Sequence, residues 1–483
     1  MDPRREPIAF DAARFQADGS VLLEWLARHW ASLERRPVRS PVRPGEVRSM
    51  LPASPPETAE PVDSIVHDLD RVIVPGLTHW QHPSFFAYFP ANASAPAILG
   101  ELLSAGLGVQ GMLWSTSPAC TELETLMLDW LVDLLGLPDC FRSAEGGGSG
   151  HGGGVIQDTA SSGVLCAMVA ARERTTDFAS DARGVHQGER PLVAYTSLDA
   201  HSSVEKAARI AGLGNAWVRK IPVDVEGAMD ADELGRQMRA DADAGRRPFF
   251  VAATVGTTAC GAVDPVERIA AHATAHGAWL HVDAAWAGAA AICPELRGPI
   301  VAGSGLADSW GFNPHKWMLV NFDCHAFWVR DRRPLVRALS VLPEYLRNAA
   351  TESGQVIDYR DWQVPLGRRF RALKVWMTLR MLGAEAIRSH IRGHVGWAKE
   401  FADLVRADPR FELLPTNLSL VCFALRQGDA ATTALMDRVN ATGRVFLTHA
   451  RVQGRIALRL AVGGSLTRRE HVLAAWELLR SMA

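Results

Sequence analysis

One lysine stands in a largely apolar run, ADSWGFNPHKWMLV, which extends from Ala307 to Val320. This residue, Lys316, follows a histidine and precedes a tryptophan, and lysine is among the residues least often fully buried unless it is paired. Taken alone, it fits a surface lysine, a structural salt-bridge partner or a covalent nucleophile. Its surroundings decide among these three interpretations.

A carboxylate, Asp283, ends the apolar stretch AWLHVD. An unpaired buried charge is very costly, so this side chain needs a partner. An arginine or a helix N-terminus could serve structurally. The functional alternative is a protonated pyridine nitrogen, because a carboxylate is the usual protein partner of the pyridoxal phosphate ring.

A glycine-rich stretch, EGGGSGHGGGVIQDTASSG, leads into the predicted helix SGVLCAMVAARER. Backbone amides at that helix start, with Thr159, Ala160 and Ser161, would make a cradle for an anion. A dinucleotide site is the rival interpretation, but its glycines should follow a strand and open the helix directly. Here the glycines precede VIQ, so the dinucleotide pattern is weak, and a plain flexible loop over 146–154 is also possible.

His201 in DAHSSVEKA has two serines after it that resemble helix caps. Most histidines in such a place are ordinary loop or cap residues. The sharper alternative is a flat imidazole stacked on a flat cofactor ring.

The elements that position these residues alternate between strands and helices. RPLVAYTS, RPFFVAATVG and AWLHVDAAW are predicted strands, and SVEKAARIAGL and DPVERIAAHATAHG are predicted helices. This alternation predicts an α/β fold with a mostly parallel sheet covered by helices on both faces, and ligands bind beyond the carboxyl ends of such strands. His201, Thr258, Asp283 and Lys316 each fall at or just after a strand end, so we expect them to converge on one rim.

The regions on either side have a different character. SVLLEWLARHWASLERRP predicts an amphipathic helix, and the proline-rich region from Pro37 to Pro61 predicts an extended connector. CTELETLMLDWLVDLLGLP predicts a helix with a capping box at Thr121 and Glu124 and a stop at Gly136. We expect an N-terminal helical segment (1–94), a large α/β domain (95–377) and a smaller C-terminal α+β domain (378–483).

Composition excludes several classes of protein. The 483 residues carry a formal net charge of -2 and are 48% hydrophobic, which gives no basic stripe for nucleic acid and no polybasic membrane anchor. The N-terminus lacks the apolar core of a signal peptide, and AAWAGAAAIC is far short of the ~20 residues that span a bilayer. Seven cysteines without a CxxC pair indicate neither a metal site nor a disulfide framework, so we expect a cytoplasmic protein.

As a set, seven ordered motifs resemble the group II pyridoxal-phosphate decarboxylases, with the aromatic L-amino acid decarboxylases as the most similar branch. The motifs are HPSFFAYFP, SPACTELE, GGGVIQDTAS, AHSSVEKA, HVDAAW, NPHKW and DYRDWQVPLGRRFR. The resemblance is clearest from about Trp80 to Arg380. It implies the type I fold of pyridoxal-phosphate-dependent transferases, pyridoxal 5′-phosphate as cofactor and a homodimer with active sites between subunits. In such a dimer the N-terminal segment (1–94) would embrace the partner subunit.

The resemblance also implies roles for individual residues. Lys316 would link covalently to the cofactor aldehyde, Asp283 would keep the ring nitrogen protonated and His201 would stack on the ring. Tyr345 in LPEYLRNAATESG matches a loop tyrosine that protonates the product carbanion. The other cofactor-binding residues implied are Thr159, Ala160, Ser161, Thr258, Ala285, Asn313 and His315.

The implied substrate pocket suits an aromatic side chain. It comprises Trp80, Tyr88, Phe89, Pro90 and Gly367, with Gln110 and Met112 contributed by the neighbouring subunit. Gly367 matches the aromatic branch, where the histidine-specific branch has serine. Gln110 and Met112 replace bulkier apolar or aromatic residues of the animal enzymes, Ala91 replaces a common small polar residue and Asp158 replaces a glycine of some relatives.

The resulting hypothesis is decarboxylation of an aromatic L-amino acid to its amine and carbon dioxide. One alternative is an aldehyde synthase that couples decarboxylation to oxidative deamination, but such relatives often replace the loop tyrosine or the stacking histidine, and this chain retains both. A decarboxylase of a non-aromatic amino acid is a further alternative, and no second cationic clamp for an acidic side chain is evident. A dinucleotide-dependent oxidoreductase and a catalytically silent relative are the rivals from other classes.

Overall fold

A computed structural model describes residues 9–144, 146–148, 150–185, 190–341 and 356–483. The predicted loop residue Tyr345 lies outside them. The α-helices are α1 (Ala12–Ser32), α2 (Glu46–Met50), α3 (Val62–Asp68), α4 (Ala95–Leu107), α5 (Pro118–Leu135), α6 (Ala160–Thr175), α7 (Ala179–Arg183), α8 (Ser203–Ile210), α9 (Ala231–Asp243), α10 (Val266–Ala275), α11 (Pro294–Val301), α12 (Pro314–Trp317), α13 (Arg332–Leu339), α14 (Arg371–Leu382), α15 (Ala384–Ala407), α16 (Asp429–Ala441) and α17 (Arg469–Met482). The strands are β1 (Gly153–Gln157), β2 (Leu192–Ser197), β3 (Val218–Ile221), β4 (Arg247–Thr254), β5 (Trp279–Asp283), β6 (Ser309–Phe312), β7 (His325–Val329), β8 (Phe411–Leu413), β9 (Leu420–Leu425), β10 (Thr448–Val452) and β11 (Arg455–Ala461).

Within the described residues, the large sheet has the strand order β1-β7-β6-β5-β4-β2-β3. Strands β2 to β6 run parallel to one another, whereas β7 runs antiparallel to both β6 and β1. Apolar side chains of α5, α9 and α10 form the core on one face of the sheet, and those of α6, α8 and α13 form it on the other. The prediction of a mostly parallel sheet with helices on both faces is confirmed.

The parallel strands end at a common edge. Thr254 at the end of β4 pairs with Asp283 at the end of β5, which pairs in turn with Gly311 of β6. His201, Thr258 and Lys316 follow the ends of β2, β4 and β6 within a few residues. The alternation of strands and helices therefore predicted the rim correctly, because parallel strands bring their carboxyl ends together.

The C-terminal region forms a second, antiparallel sheet in the order β10-β11-β9-β8. Helices α15, α16 and α17 pack on it and on one another. The domain boundary expected between residues 377 and 378 falls inside α14, and this helix packs on α4 and α5 of the larger unit. The helix that follows it, α15, packs on the second sheet.

Helix α5 begins earlier than predicted. Ser117 is its N-cap, with the serine side chain accepting from the Cys120 amide, so the capping box predicted at Thr121 and Glu124 is wrong. The buried Glu124 instead pairs with Arg368 at 2.6 Å, and each side chain is at most 3% exposed. The predicted stop is confirmed, since Gly136 caps α5 with a φ of 68°, a conformation that favours glycine.

The N-terminal part presents apolar side chains that the described part of this chain does not cover. Helix α1 has no buried residue, and Phe15, Leu22 and Leu23 are exposed on it. Helix α4 likewise exposes Leu102, Leu103 and Leu107. The proline-rich connector is interrupted by the short helix α2. No helix in the described ranges is long and apolar enough to cross a membrane.

A buried carboxylate closes the hairpin that carries Thr258. Asp264 accepts from the Thr254 amide at 2.7 Å and from the Met229 amide at 2.8 Å, and only 1% of the residue is exposed. Val255 and Val263 pair between these points. Burial raises the pKa of Asp264 to about 7, against the opposing effect of the two backbone donors.

This pKa predicts a pH-dependent contribution to stability. Because the folded chain holds the Asp264 proton more tightly than the unfolded chain, this contribution is full below pH ~4 and is lost as the pH rises to ~7. The unfolding free energy of the parent relative to Asp264→Asn should fall by roughly 2–4 kcal/mol over that interval, measured by urea denaturation. The exposed Asp403→Asn exchange is the control and should cost less than ~0.5 kcal/mol at any pH. A difference between parent and Asp264→Asn that stays flat with pH would contradict the assignment.

Candidate functional site

Lys316, Asp283 and His201 lie close enough at the rim to influence one another's protonation. Burial lowers the pKa of the Lys316 amine, Asp283 opposes this, and the nearby Arg459 guanidinium lowers it further. Burial also lowers the pKa of His201, with Asp283 opposing and Lys316 reinforcing the effect. The predicted convergence of these three side chains is therefore present in the structure.

The turn that carries Lys316 is tied down through its backbone. Helix α12 starts after Asn313, and the Lys316 carbonyl accepts from the Asn92 side-chain amide. The same amide donates to Gly463 O at 2.6 Å, and its oxygen accepts from the Ser465 amide at 2.7 Å. The backbone is thus held from two sides, while the Lys316 amine has no hydrogen-bond or ion-pair partner among the described residues.

The neighbouring Trp317 anchors the same turn through its side chain. Its indole nitrogen donates to Nδ1 of His394 on α15 at 3.0 Å. Its ring also meets the edge of Phe89, with 5.5 Å between centroids. The backbone of Lys316 is therefore held by Asn92, and the residue after it is anchored in the core.

Asp283 is 5% exposed and has no cationic side chain paired with it in the described ranges. One carboxylate oxygen accepts from the Ala285 amide at 3.0 Å. The Ala285 carbonyl accepts in turn from the Asn313 amide at 2.9 Å, which joins the loop after β5 to the start of α12. The second carboxylate oxygen accepts no hydrogen bond from the described residues.

His201 and Thr258 are more accessible than Asp283. Nδ1 of His201 accepts from the Ser203 amide at 3.2 Å, so the ring is oriented by the start of α8. With its pKa lowered by burial, this ring stays neutral near pH 7 and offers a flat face. Thr258 is exposed in the hairpin after β4, whose next residue, Ala259, accepts from Arg459 at 3.2 Å.

The start of α6 has the properties of an anion cradle. Thr159 occupies the N-cap without a side-chain cap, and the Ala160 and Ser161 amides donate to no acceptor in the described part of the chain. Such amides, together with the helix dipole, favour a phosphate. Asp158 turns its carboxylate back to the Thr159 amide at 2.6 Å. The glycine-rich stretch precedes β1, whereas the glycines of a dinucleotide site would follow the strand.

Asn313 and His315 frame the other side of the rim and are both buried, at 4% and 3% exposure. Nδ1 of His315 accepts from the Cys324 amide at 2.9 Å. Burial, with the charges of Lys316 and Lys374, lowers the pKa of His315 to about 3, so the ring is neutral. Its single proton therefore lies on Nε2, which makes that atom a donor.

The predicted substrate residues fall into two groups. In the first, Phe89 stacks on Trp286 at 4.7 Å, close to Lys316, and Pro90 is buried beside it. Trp80 and Tyr88 stack at 5.6 Å and are 40% and 51% exposed. We call these four residues the aromatic wall: Phe89 meets the Lys316 turn through Trp317, and the Tyr88 carbonyl accepts from Arg459 at 3.1 Å.

The second group consists of Gly367, which belongs to the segment from Asp358 to Arg368, and of Gln110 and Met112, which bond to that segment. Gln110 accepts from the Arg368 amide, the Met112 carbonyl accepts from Arg360 at 3.1 Å, and Gly367 faces the Gln110 side chain. No hydrogen bond between this group and Lys316, Asp283 or His201 occurs in the described residues. Nor does any hydrogen bond or ring contact join the two groups to each other within the described ranges.

Sequence reasoning missed Arg459. This guanidinium is 4% exposed and donates to the backbone oxygens of Ala259 and Tyr88 and to the Thr448 hydroxyl. It has no acidic partner in the described ranges, and burial lowers its pKa. An arginine within the apolar strand GRIALRLAV was the available signal, since a buried charge needs a reason.

The rim therefore combines an unpaired amine, a buried carboxylate, a neutral flat imidazole and an anion cradle. An amine can bond an aldehyde covalently, a carboxylate can hold a protonated ring nitrogen, and the cradle can bind a phosphate. The donor set thus fits pyridoxal 5′-phosphate. The residues that the structure describes contain no cluster of three or more side chains suited to a metal ion.

Known proteins resemble this chain over nearly its full length. The Arabidopsis thaliana phenylacetaldehyde synthase is 43% identical over 98% of this chain and 96% of its own length. The Rattus norvegicus aromatic-L-amino-acid decarboxylase is 43% identical over 98% of both chains. The crystal structure of Oryza sativa TDC with PLP and tryptamine superposes with a TM-score of 0.95 and 42% identity, covering 99% of each chain.

The pyridoxal-dependent decarboxylase conserved domain matches residues 44–426, which contain every predicted site residue. The match, the superposition and the site geometry agree on the type I fold, on the cofactor and on the class of reaction. The chain belongs to the family of pyridoxal-dependent decarboxylases, and it is a carboxy-lyase that uses pyridoxal 5′-phosphate.

Proposed function

We propose that this protein decarboxylates an aromatic L-amino acid, such as tyrosine, tryptophan, phenylalanine or dihydroxyphenylalanine, to the amine and carbon dioxide. One observation carries the site assignment: the Lys316 amine and the Asp283 carboxylate share one rim, and neither has an ion-pair partner in the described chain. Relatives that act on aromatic amino acids support the substrate class.

The residues that would hold the cofactor come from five strand ends, those of β1, β2, β4, β5 and β6. Lys316 would bind its aldehyde, Asp283 its ring nitrogen and His201 the face of its ring. Its phosphate would be bound by the amides of Ala160 and Ser161 with Asn313 and His315; Thr159, Thr258 and Ala285 complete the set. When bound, pyridoxal 5′-phosphate supplies an electron sink for the electron pair that the departing carbon dioxide leaves behind.

Asp283 holds a proton at the ring nitrogen by a charge-assisted hydrogen bond, worth roughly 1.5–3 kcal/mol. Because the carboxylate is buried and oriented by the Ala285 amide, it needs no rearrangement to do so. Preorganised charge of this kind is usually the largest contribution to catalysis.

The Lys316 amine would have to be neutral to bond the cofactor aldehyde, because a protonated amine is not a nucleophile. Burial and the positive charge of Arg459 lower its pKa, which increases the neutral fraction near pH 7. His201, neutral for the same reason of burial, covers the ring face without competing for the negative charge of the substrate. We assign the final proton transfer to carbon to the Tyr345 phenol, by the resemblance of its loop.

The aromatic wall supports an aromatic substrate. Phe89, Pro90, Trp80 and Tyr88 present apolar surface beside the Lys316 turn, and ligand pockets of this type favour flat apolar groups. Gly367, Gln110 and Met112 would complete the pocket from a second subunit.

A homodimer is part of the proposal. Apolar side chains of α1 and α4 are exposed in the single chain, and contiguous exposed apolar surface marks interaction sites. Gln110 and Met112 of the second substrate group follow α4 directly, and Gly367 faces Gln110, so a partner seated on α4 would bring that group to the neighbouring rim. The two halves of the pocket would then meet across the interface.

We also propose a cytoplasmic location. All seven cysteines are free thiols, which fits a reducing compartment.

Aldehyde synthesis is the second candidate, because a phenylacetaldehyde synthase is as similar to this chain as the decarboxylases are. The retention of both His201 and Tyr345 favours the amine as product.

The first prediction concerns the nucleophile. Lys316→Ala should lower turnover by at least about 1,000-fold, because it removes the amine that the proposal assigns to the cofactor aldehyde. Borohydride reduction followed by mass spectrometry should add one phosphopyridoxyl group, which is the cofactor mass less one oxygen atom, to the parent and none to the variant. Lys399→Ala, an exposed lysine on α15, should behave as the parent. A variant that still acquires the phosphopyridoxyl group would refute the role of Lys316.

The second prediction concerns the substrate. In a panel of the four aromatic amino acids with glutamate and leucine, at least one aromatic substrate should exceed both others in kcat/KM by on the order of 100-fold. Amine should be the main product, with aldehyde and ammonia minor. Faster turnover of glutamate or leucine would refute the aromatic assignment, and aldehyde with stoichiometric ammonia would favour the second candidate.

The third prediction concerns assembly. Sedimentation should give twice the mass of the chain, and Leu103→Lys on α4 should weaken dimerisation by about tenfold or more, because a buried charge without a partner is costly. Leu306→Lys is the control, since that leucine is similarly exposed but precedes β6, at the end of the strands opposite to the rim. A fully active monomer would contradict the shared pocket.

A further inference from the structure

His325, the first residue of β7, fills the gap between the phosphate cradle and the sheet. The residue is 1% exposed. A Cβ atom on Gly163 in the first turn of α6 would lie 2.5 Å from its Nε2, and one on Gly311 of β6 would lie 2.8 Å from the same atom. The imidazole thus occupies the space that these two glycines leave open.

The ring is bonded to the predicted phosphate ligand. Nδ1 of His325 lies 2.7 Å from Oδ1 of Asn313. Since a carboxamide oxygen can only accept, the imidazole nitrogen donates. Burial, with the nearby His315, His281 and Lys316, holds the pKa of His325 well below its usual range, so the ring carries a single proton. That proton lies on Nδ1, and Nε2 is left without a partner in the described residues.

This hydrogen bond determines which way the Asn313 amide points. With its oxygen bound to His325, its two N–H donors have no acceptor among the described residues. They are free to bind an anion, whereas a flipped amide would present an oxygen and repel it. The bond therefore selects the useful one of two orientations of similar shape.

We propose that His325 is a positioning residue of the cofactor site: it holds the Asn313 amide with its N–H groups toward the phosphate at the start of α6. The inference rests on the proposed function, in which Asn313 binds that phosphate. Nothing in the motif NPHKW indicates this role, because His325 stands nine residues after Lys316, in the next strand.

A double-mutant cycle tests the proposal. Asn313→Ala, His325→Leu and the double variant are prepared as full chains without cofactor and titrated with pyridoxal 5′-phosphate, with tryptophan fluorescence as the signal. Thermal unfolding of the cofactor-free chains gives the structural cost separately. His390→Leu is the matched control, because the Nε2 atom of His390 on α15 is also buried without a partner.

Each single variant should weaken cofactor binding by about tenfold, as expected for one hydrogen bond to a charged group. The double variant should be no weaker than Asn313→Ala, because His325 acts only through that residue. His325→Gln, which keeps a donor, should recover most of the affinity. His390→Leu should lower the unfolding temperature without changing the affinity.

Two results would overturn the proposal. If Asn313→Ala weakens binding and His325→Leu does not, or if their effects add, His325 does not position the amide, and the proposed function stands. If Asn313→Ala itself leaves the affinity unchanged, both this inference and the assignment of Asn313 as a phosphate ligand are wrong, while the tests of Lys316 are unaffected.

Gly163→Ala provides an independent test if His325→Leu does not fold. The added methyl group would press on the imidazole, so it should lower cofactor affinity in the parent chain. In a His325→Ser background the space is open, and the same exchange should have little effect. An equal loss in both backgrounds would refute the proposal.

Discussion

The active site depends on keeping the opposite charges of Lys316 and Asp283 at one partly buried rim without a direct ion pair between them. A direct ion pair between Lys316 and Asp283 would satisfy both groups, and it would also occupy the amine and the carboxylate that the chemistry requires. The fold avoids this by placing the residues on different strand ends and holding each backbone separately. The cost of the unpaired charges appears as the lowered pKa of Lys316, and a positively charged ligand ring opposite Asp283 would offset it.

Buried histidines do much of the holding. His281 packs beneath Asp283 on the same strand and meets the Ser309 hydroxyl at 2.9 Å, with its pKa lowered to about 4 by burial. His315, His325 and His394 are likewise neutral because they are buried. Each bonds to a backbone or side-chain group that borders the site. As neutral rings, they act as fixed donors and acceptors near pH 7, so the rim keeps one geometry across that range.

The pocket for the substrate side chain has a different basis. Phe89 and Pro90 lie beside the Lys316 turn, whereas Gln110, Met112 and Gly367 lie in two other segments of the same chain. In the proposed homodimer a second subunit would unite them, and substrate choice would then depend on assembly. Arg459 adds a positive charge near the first group, where it is held by three oxygen acceptors and no acid of the described chain.

The sequence by itself determined the sheet, the rim and the residues on it. Alternating strands and helices form a parallel sheet whose strand ends meet at one edge. This pattern alone predicts that His201, Thr258, Asp283 and Lys316 lie together. Local patterns were less decisive: the capping box in TELE was wrong, because Glu124 is used by Arg368, which is far away in sequence.

Only the tertiary structure decided the contacts that cross between segments. Asn92 on Lys316, His325 on Asn313 and Arg459 beside the rim join residues from 12 to 371 positions apart. No periodicity or spacing encodes such pairs. They arise from packing, because a buried polar group takes whichever partner the folded chain brings within hydrogen-bond distance.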